Sequence, residues 1–452
     1  MTPPPGPARA SSAATPPAPA QATFAGGLIA VERHEWPALL ASFAYFFFLL
    51  AGYYILRPIR DAMGVAIGTQ QLPTLFTLTF VAMIALVPLF GWLTARLPRA
   101  RLLPVLYGFF ALNLAAFWWA MQSGLPAQRI GPVFFVWVSV YNLFVVSVFW
   151  SFMADLYTPA QAGRLYGAIA AGGSCGAIAG PSLTALFAER IGTPALLLVS
   201  AAFLLAALAC VAALVRWSRR HPRPSEPHTE RAVGGSMVAG LTGVLRSRYL
   251  MGICGYLLCY TLLSTVLYFQ QVEIVGRELS GREERTRLFA SIDLAVNSLT
   301  LVTQLLLFPA LLRRIGTGWM LALIPLASVA GFLALGAMPV LAVLVVFGVL
   351  RRAGEFAISK PVRETLFAAV PREERYKAKN FIDTAVYRGG DTASGWLFSG
   401  MRALGMSLGA VSFAMVPVAL GWTALAFWLG RRNAELRRAE EAAGEPRAAP
   451  GV

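Results

Sequence analysis

The chain has 452 residues, 57% hydrophobic and only 13% charged, with a mean hydropathy of +0.63. Such a composition excludes a soluble globular domain and points to an integral membrane protein. The net charge of +16 could suggest nucleic acid, but the basic residues cluster in short links between apolar runs. No nucleic acid polymer is therefore expected; the charge reflects topology and contact with anionic lipid headgroups.

About 20 apolar residues are needed to cross a bilayer, and twelve such runs are present. They fall at 37–57, 72–95, 102–122, 131–154, 165–187, 194–216, 249–273, 287–311, 317–337, 339–360, 379–401 and 405–430. The alternating pattern of a membrane barrel is absent, so the expected fold is all-α, a bundle of twelve transmembrane helices. With both ends on one side, 26 of the 38 Lys and Arg fall on that side, and the positive-inside rule makes it cytoplasmic.

Residues 1–30 begin Pro/Ala/Ser-rich and read as a disordered tail rather than a signal peptide. The first span ends YYILRPIRDAMG, where Arg57 and Arg60 share a face and Asp61 follows Arg57 by four. Pro58 is expected to limit the helix there, which places the arginines near the outer mouth. Two guanidiniums at a pore mouth would fork-bind carboxylates or phosphates; an interfacial anchor is the plainer alternative.

Spans 2 and 3 are joined by a basic turn carrying Gly91, Arg96, Arg99 and Arg101. In span 4, Tyr141 and Asn142 lie near the midplane. Span 5 carries Gly167, Gly172, Gly176, Gly180 and Pro181, and three of these glycines recur every four residues as a stripe for close helix packing. The turn resembles the basic loop between spans 2 and 3 of the major facilitator superfamily. The G-x8-G-x3-G-P spacing resembles that superfamily's antiporter-associated motif. The resemblance implies two six-helix bundles, over 31–216 and 248–430, joined by a polar cytoplasmic linker at 217–247 and followed by a charged tail at 431–452.

In the second half, span 7 brings Gln270, Gln271 and Glu273 near its outer end. Span 8 carries Asp293, Asn297 and Gln304 as a polar stripe. Span 10 is interrupted by Arg351, Arg352 and Glu355, whose three- and four-residue spacings predict an internal ion pair with one cation left over. Span 11 carries Lys379 and Asp383, four apart, then Arg388 and Asp391, three apart. Charges at membrane depth are expensive unless paired or facing water, so these mark a candidate substrate or ion path. Lys360, Lys377 and Lys379 are the chain's three lysines.

Cys175, Cys210, Cys254 and Cys259 all lie in spans without metal-ligand spacing and read as packing residues. His34, His221 and His228 lie outside the spans. No metal, cofactor or nucleophile–base pair is expected, and the chain does not read as an enzyme.

Three stretches are similar to the nucleotide translocase family, the ATP/ADP antiporters of plastids and intracellular bacteria. They are ILRPIRDAMG, FWSFMADLYTPAQAGRLYGAI, and RRAGEFAISKPVRETLF with EERYKAKNFID. The resemblance implies that Arg57 and Lys379 stand at substrate-linked basic positions, with Asp383 completing the second motif. Arg replaces the usual Lys in span 1, Ser359-Lys360 replaces an aromatic–acidic pair, and Gln161 to Arg164 depart from the family's run. The chain thus looks like a divergent bacterial relative in the inner membrane.

The expected function is alternating-access transport of a small organic anion, such as a nucleotide or phosphorylated metabolite, with exchange as one mode. Arg57, Arg60, Arg351, Arg352, Lys379 and Arg388 would neutralise it. Asp61, Asp293, Asn297, Glu355, Asp383 and Asp391 would hold or switch those cations. A monomer is expected. The alternatives are a proton-coupled exporter and a non-transporting membrane sensor or assembly factor on the same fold.

Overall fold

The structure is a computed structural model and describes residues 31–96, 99–221, 244–367, 378–379 and 382–444. The 1–30 tail, most of the linker, Lys377 and the end of the C-terminal tail lie outside the described residues, as do the side chains of Arg99, Arg101 and Asp383.

The first half contains α1 (Trp36–Ile67), α2 (Leu72–Arg96), α3 (Arg99–Gln122), α4 (Ala127–Leu156), α5 (Pro159–Ile191) and α6 (Thr193–Arg220). The second contains α7 (Arg248–Glu278), α8 (Arg282–Val302), α9 (Phe308–Ala337), α10 (Leu341–Gly354), α11 (Lys360–Leu366), α12 (Tyr387–Ala403) and α13 (Leu408–Gly444). Single π turns follow α8 (Thr303–Leu307), join α10 to α11 (Glu355–Ser359) and precede α12 (Ile382–Val386). Gly316, with φ +71°, breaks α9, so its first residues complete predicted span 8 and span 9 starts just beyond. Among the described residues, nine helices are long and apolar enough to cross a membrane. Of the other three predicted spans, span 2 is the helix α2, whose apolar run is shorter (Leu72–Leu86), and spans 10 and 11 are helical in their described residues but interrupted by charges and π turns.

Two expectations are corrected here. Pro58 does not limit the first helix: it lies inside α1, which runs on to Ile67. Neighbouring helices can re-satisfy the carbonyl that a proline frees, and Pro58 is buried. Arg57 therefore lies ten residues before the end of α1, about 15 Å in at 1.5 Å per residue, deep in the bundle rather than at its mouth. Second, the span-5 motif is only partly a packing surface. A Cβ on Gly172, Gly176 or Gly180 would meet a backbone oxygen of α1 (Phe43, Phe47 or Ala51) at 2.4–2.5 Å. These three glycines let α5 and α1 touch backbone to backbone. Gly167 faces open space.

The buried apolar residues form two clusters. One is built wholly from the first half, between Val31 and Leu214. The other is built mainly from α7 to α13, with a few residues of α1, α2 and α4 added. The four cysteines are unbridged.

Polar contacts join the halves at the end of the molecule away from the termini. Tyr268 Oη donates to Asp61 Oδ1 at 3.1 Å, Arg287 pairs with Glu189 at 2.9 Å, and the Trp396 indole donates to Thr77 at 3.1 Å. Phe76 meets Phe269 edge-on at 5.4 Å beside them. Nearer the middle, Asn297 donates to the Ala177 carbonyl at 2.8 Å.

Candidate functional site

A cavity of about 470 Å³ lies between the halves, lined by residues of α1, α2, α4, α7, α10 and α12. Five arginines reach it: Arg57, Arg60, Arg351, Arg352 and Arg388. Asp61 and Asp391 line it too. Asp293 is buried behind the wall, where it pairs with two of the arginines. Five guanidiniums against these three carboxylates leave a surplus of two positive charges. Tyr53, Tyr54, Tyr260, Tyr268 and Tyr387 supply an aromatic wall, and Asn142 and Gln271 add amides.

The pairing differs from the spacing-based expectation. Arg352 donates to Asp293 Oδ1 at 2.6 Å, and Arg57 Nε stands 3.6 Å from Asp293 Oδ2. Asp293 thus bridges α1 of the first half and α10 of the second. Asp61 pairs with its neighbour Arg60 at 2.7 Å, not with Arg57, while Arg60 lies over the Phe135 ring at 5.0 Å.

The predicted Arg351/Arg352–Glu355 pair does not form. Glu355 faces Arg363 at 3.5 Å instead. The π turn that starts at Glu355 favours this partner: its extra residue falls between Glu355 and Arg363, so these two, eight apart, share a face as residues seven apart do in an α-helix.

Arg351 is left without a carboxylate partner among the described residues. It is 2% exposed, donates Nη2 to Ser264 Oγ at 2.8 Å and lies over the Tyr260 ring at 5.6 Å. Its Nε and Nη1 have no hydrogen-bond partner among the described residues. A buried guanidinium in this state is expensive, and it stands at the wall of the cavity.

Arg388 and Asp391 do pair, loosely, at 3.9 Å, and Thr265 donates to Asp391 at 3.1 Å. Lys379 lies outside the cavity lining. It pairs with Glu364 of α11 instead. Asn297 and Gln304 line a separate cavity of about 240 Å³ between α1, α5 and α8. Spacing could not reveal Arg363 and Glu364 as partners, since both partnerships join residues beyond one helical turn. Tyr260, Tyr268 and Tyr387 sit within apolar runs as ordinary membrane aromatics, and nothing local marks them as cavity residues.

At the terminal end, Glu35 ties α1 to the start of α5. It accepts from Arg164 Nη2 and Gln161 Nε2, both at 2.9 Å, where Thr158 and Gln161 form a capping box. Burial pushes the Glu35 carboxyl up, but hydrogen bonds from the Glu32 backbone, Gln161 and Arg164 outweigh it and hold the carboxyl below the ordinary glutamate range. Glu32, His34 and Glu35 bring three ligand-type atoms within 4.8 Å of one another, yet Glu35 is already committed to these partners.

Helices crossing in two bundles around a charged central cavity define a polytopic membrane carrier. The sequence profile of the Major Facilitator Superfamily matches residues 144–375, just over half of the chain, and the protein belongs to that superfamily. The fold is similar to that of the nucleoside transporter NupG, with 13% identity and a TM-score of 0.59 over 88% of this chain and 99% of that one. A bacterial homologue of the iron transporter ferroportin in an inward-facing state gives 16% identity and a TM-score of 0.59, over 89% and 98%. A bacterial homologue of the human lysosomal transporter Spinster, inward-facing and unoccupied, gives 13% and 0.52, over 91% and 96%. At such identities the likeness shows the fold alone. A comparison with curated protein sequences returns no match. The protein is a multi-pass secondary transporter of the major facilitator type.

Proposed function

We propose that the protein moves a small organic anion by alternating access, with a phosphorylated metabolite such as a nucleotide as the favoured class. The observation that carries this reading is Arg351, a buried guanidinium with no carboxylate partner at the wall of a cavity with surplus positive charge. An oxyanion supplies what Arg351 lacks: charge and two acceptors in fork geometry. The tyrosine wall suits a substrate with a flat or apolar body. The nucleotide translocase resemblance of the Arg57 and Arg351–Leu366 stretches supports the same class, and exchange of one anion for another fits a site that is costly when empty. The protein sits in this reading in a bacterial inner membrane as a monomer, with both termini and the 217–247 linker cytoplasmic. The polar contacts that join the halves away from the termini then act as a clasp that closes the outer face, and the cavity serves the cytoplasm.

A second reading rests on Asp391, a cavity carboxylate held only loosely by Arg388. It would serve proton-coupled export, and flux of substrate that follows an imposed pH gradient would favour it.

The test of the first reading is thermal stability of the purified protein with nucleotides, sugar phosphates, dicarboxylates and uncharged nucleosides. A ligand at a hundred times its Kd stabilises by about 2.7 kcal/mol. At least one anion should raise the melting temperature, and Arg351→Gln should abolish that rise while leaving the unliganded protein folded. Equal stabilisation by an uncharged nucleoside, or a full anion response in the Gln variant, would overturn the reading.

A further inference from the structure

A cavity of about 590 Å³ lies apart from the central site, between α9 and α13 at the terminal end of the second half. Its wall includes Thr317, Trp319, Phe427, Arg431 and Asn433. The local sequence builds it. Gly316 breaks α9, so the helix restarts at the cavity edge. Gly430 of α13 then crosses Gly318: a Cβ on Gly430 would stand 2.4 Å from the Gly318 Cα. The two backbones touch, and the cavity wall at this crossing is backbone rather than side chain.

Two kinds of surface meet here. Trp319 stands edge-on to Phe427 at 4.8 Å yet remains 56% exposed, and Leu323 and Leu326 further along α9 are exposed as well. Positions 319, 323 and 326 share one helix face, so an apolar stripe runs from the cavity into the depth of the membrane. Trp at such a level is the residue of the membrane–water interface. At the other edge, Arg431 lines the cavity and Arg314 adjoins its lining residue Ile315. Both are exposed, and neither has a carboxylate partner among the described residues. The neighbouring Arg432 does have one, in Glu435.

We propose that this cavity binds one anionic phospholipid, its phosphate against Arg431 and Arg314 and an acyl chain along Trp319, Leu323 and Leu326. Each part of the ligand meets a matching surface. A zwitterionic lipid carries its own cation and gives two guanidiniums no net charge to neutralise. A free phosphate gains nothing from the apolar stripe. Basic pockets between membrane helices on the side rich in Lys and Arg are where anionic headgroups are held.

Native mass spectrometry of the full-length protein, released from micelles doped equally with phosphatidylglycerol and phosphatidylcholine, tests this. The expected result is retained phosphatidylglycerol at roughly tenfold preference, a preference that disappears in Arg314→Gln/Arg431→Gln. Trp319→Ala should weaken retention of both lipids. Melting in phosphatidylcholine micelles should match wild type for each variant, which separates lost binding from lost fold. Equal retention of the two lipids by wild type, unchanged preference in the double variant, or displacement by millimolar glycerol phosphate would each overturn the proposal.

Discussion

Replacing Asp293 by Asn should release a latch between the two halves. Asp293 sits on α8 and accepts from Arg352 of its own half at 2.6 Å, while facing Arg57 of the other half at 3.6 Å. Any rocking of the halves keeps the first contact and breaks the second. At an effective dielectric near 20, opposite charges 3.6 Å apart attract by about 4–5 kcal/mol. The desolvation of both groups offsets much of that, and a net coupling on the order of 1–2 kcal/mol is a reasonable remainder, or about five- to thirtyfold in a two-state equilibrium.

The assay is the distance between spin labels at Gln128 and Leu404, at the clasped end of the two halves. It uses a background in which Cys175, Cys210, Cys254 and Cys259 are replaced by Ser, without added substrate. Asp293→Asn should shift the population toward the longer distance by about tenfold, Arg57→Gln should do the same, and the double variant should add little. The asparagine variant also leaves Arg352 without its carboxylate, so its melting temperature should fall further than that of Arg57→Gln. Unchanged distances in both single variants, or fully additive shifts, would refute the latch. Because no ligand is present, this outcome does not depend on the substrate class.

Two further predictions concern the scaffold. Gly176→Ala places a Cβ 2.4 Å from the Phe47 carbonyl oxygen and should destabilise the protein by about 1–3 kcal/mol. Gly167→Ala, in the same motif but with open space around it, should be neutral or stabilise slightly through helix propensity; thermal unfolding of the pair checks both. Glu35 has a folded-state pKa below its ordinary value, so its contribution is complete above the ordinary glutamate pKa of about 4.3 and is lost as pH falls through the lower folded value. The melting difference between wild type and Glu35→Gln should therefore hold from pH 7 to 5 and narrow only below about pH 4. A difference that already narrows between pH 7 and 5 would refute that assignment.

The helices were legible because the bilayer imposes a length and a composition on each span, and the chain obeys both. The buried charges were legible because a charge in an apolar run stands out. Their partners were not. Arg57, Asp293 and Arg352 come from three helices far apart in sequence, and no spacing rule links them. The Arg363–Glu355 pair depends on a π turn after Glu355, which periodicity cannot register because its neighbours on both sides remain helical. Arg57 was placed too near the surface because Pro58 reads as a stop in a soluble helix, whereas a packed membrane helix carries it.

The pattern of pairs also orders the arginines by the work each can do under the transport reading. Arg352 with Asp293, Arg363 with Glu355 and Arg388 with Asp391 are pairs within the second half, so they travel together when the halves rock. Arg60 keeps Asp61 on its own helix. Arg57 alone among the five cavity arginines has its carboxylate in the opposite half, and Arg351 has none among the described residues. A substrate oxyanion at Arg351 therefore relieves a charge that already lacks a carboxylate while the halves are clasped, and one at Arg57 relieves a charge that becomes unpaired when the clasped end opens. The first governs how tightly the anion is held, and the second governs whether the loaded carrier can turn. On this argument Arg351→Gln should act mainly on apparent affinity and Arg57→Gln mainly on the coupling of movement to loading, because among the ion pairs of the five cavity arginines it is the Arg57 pair that spans the two halves.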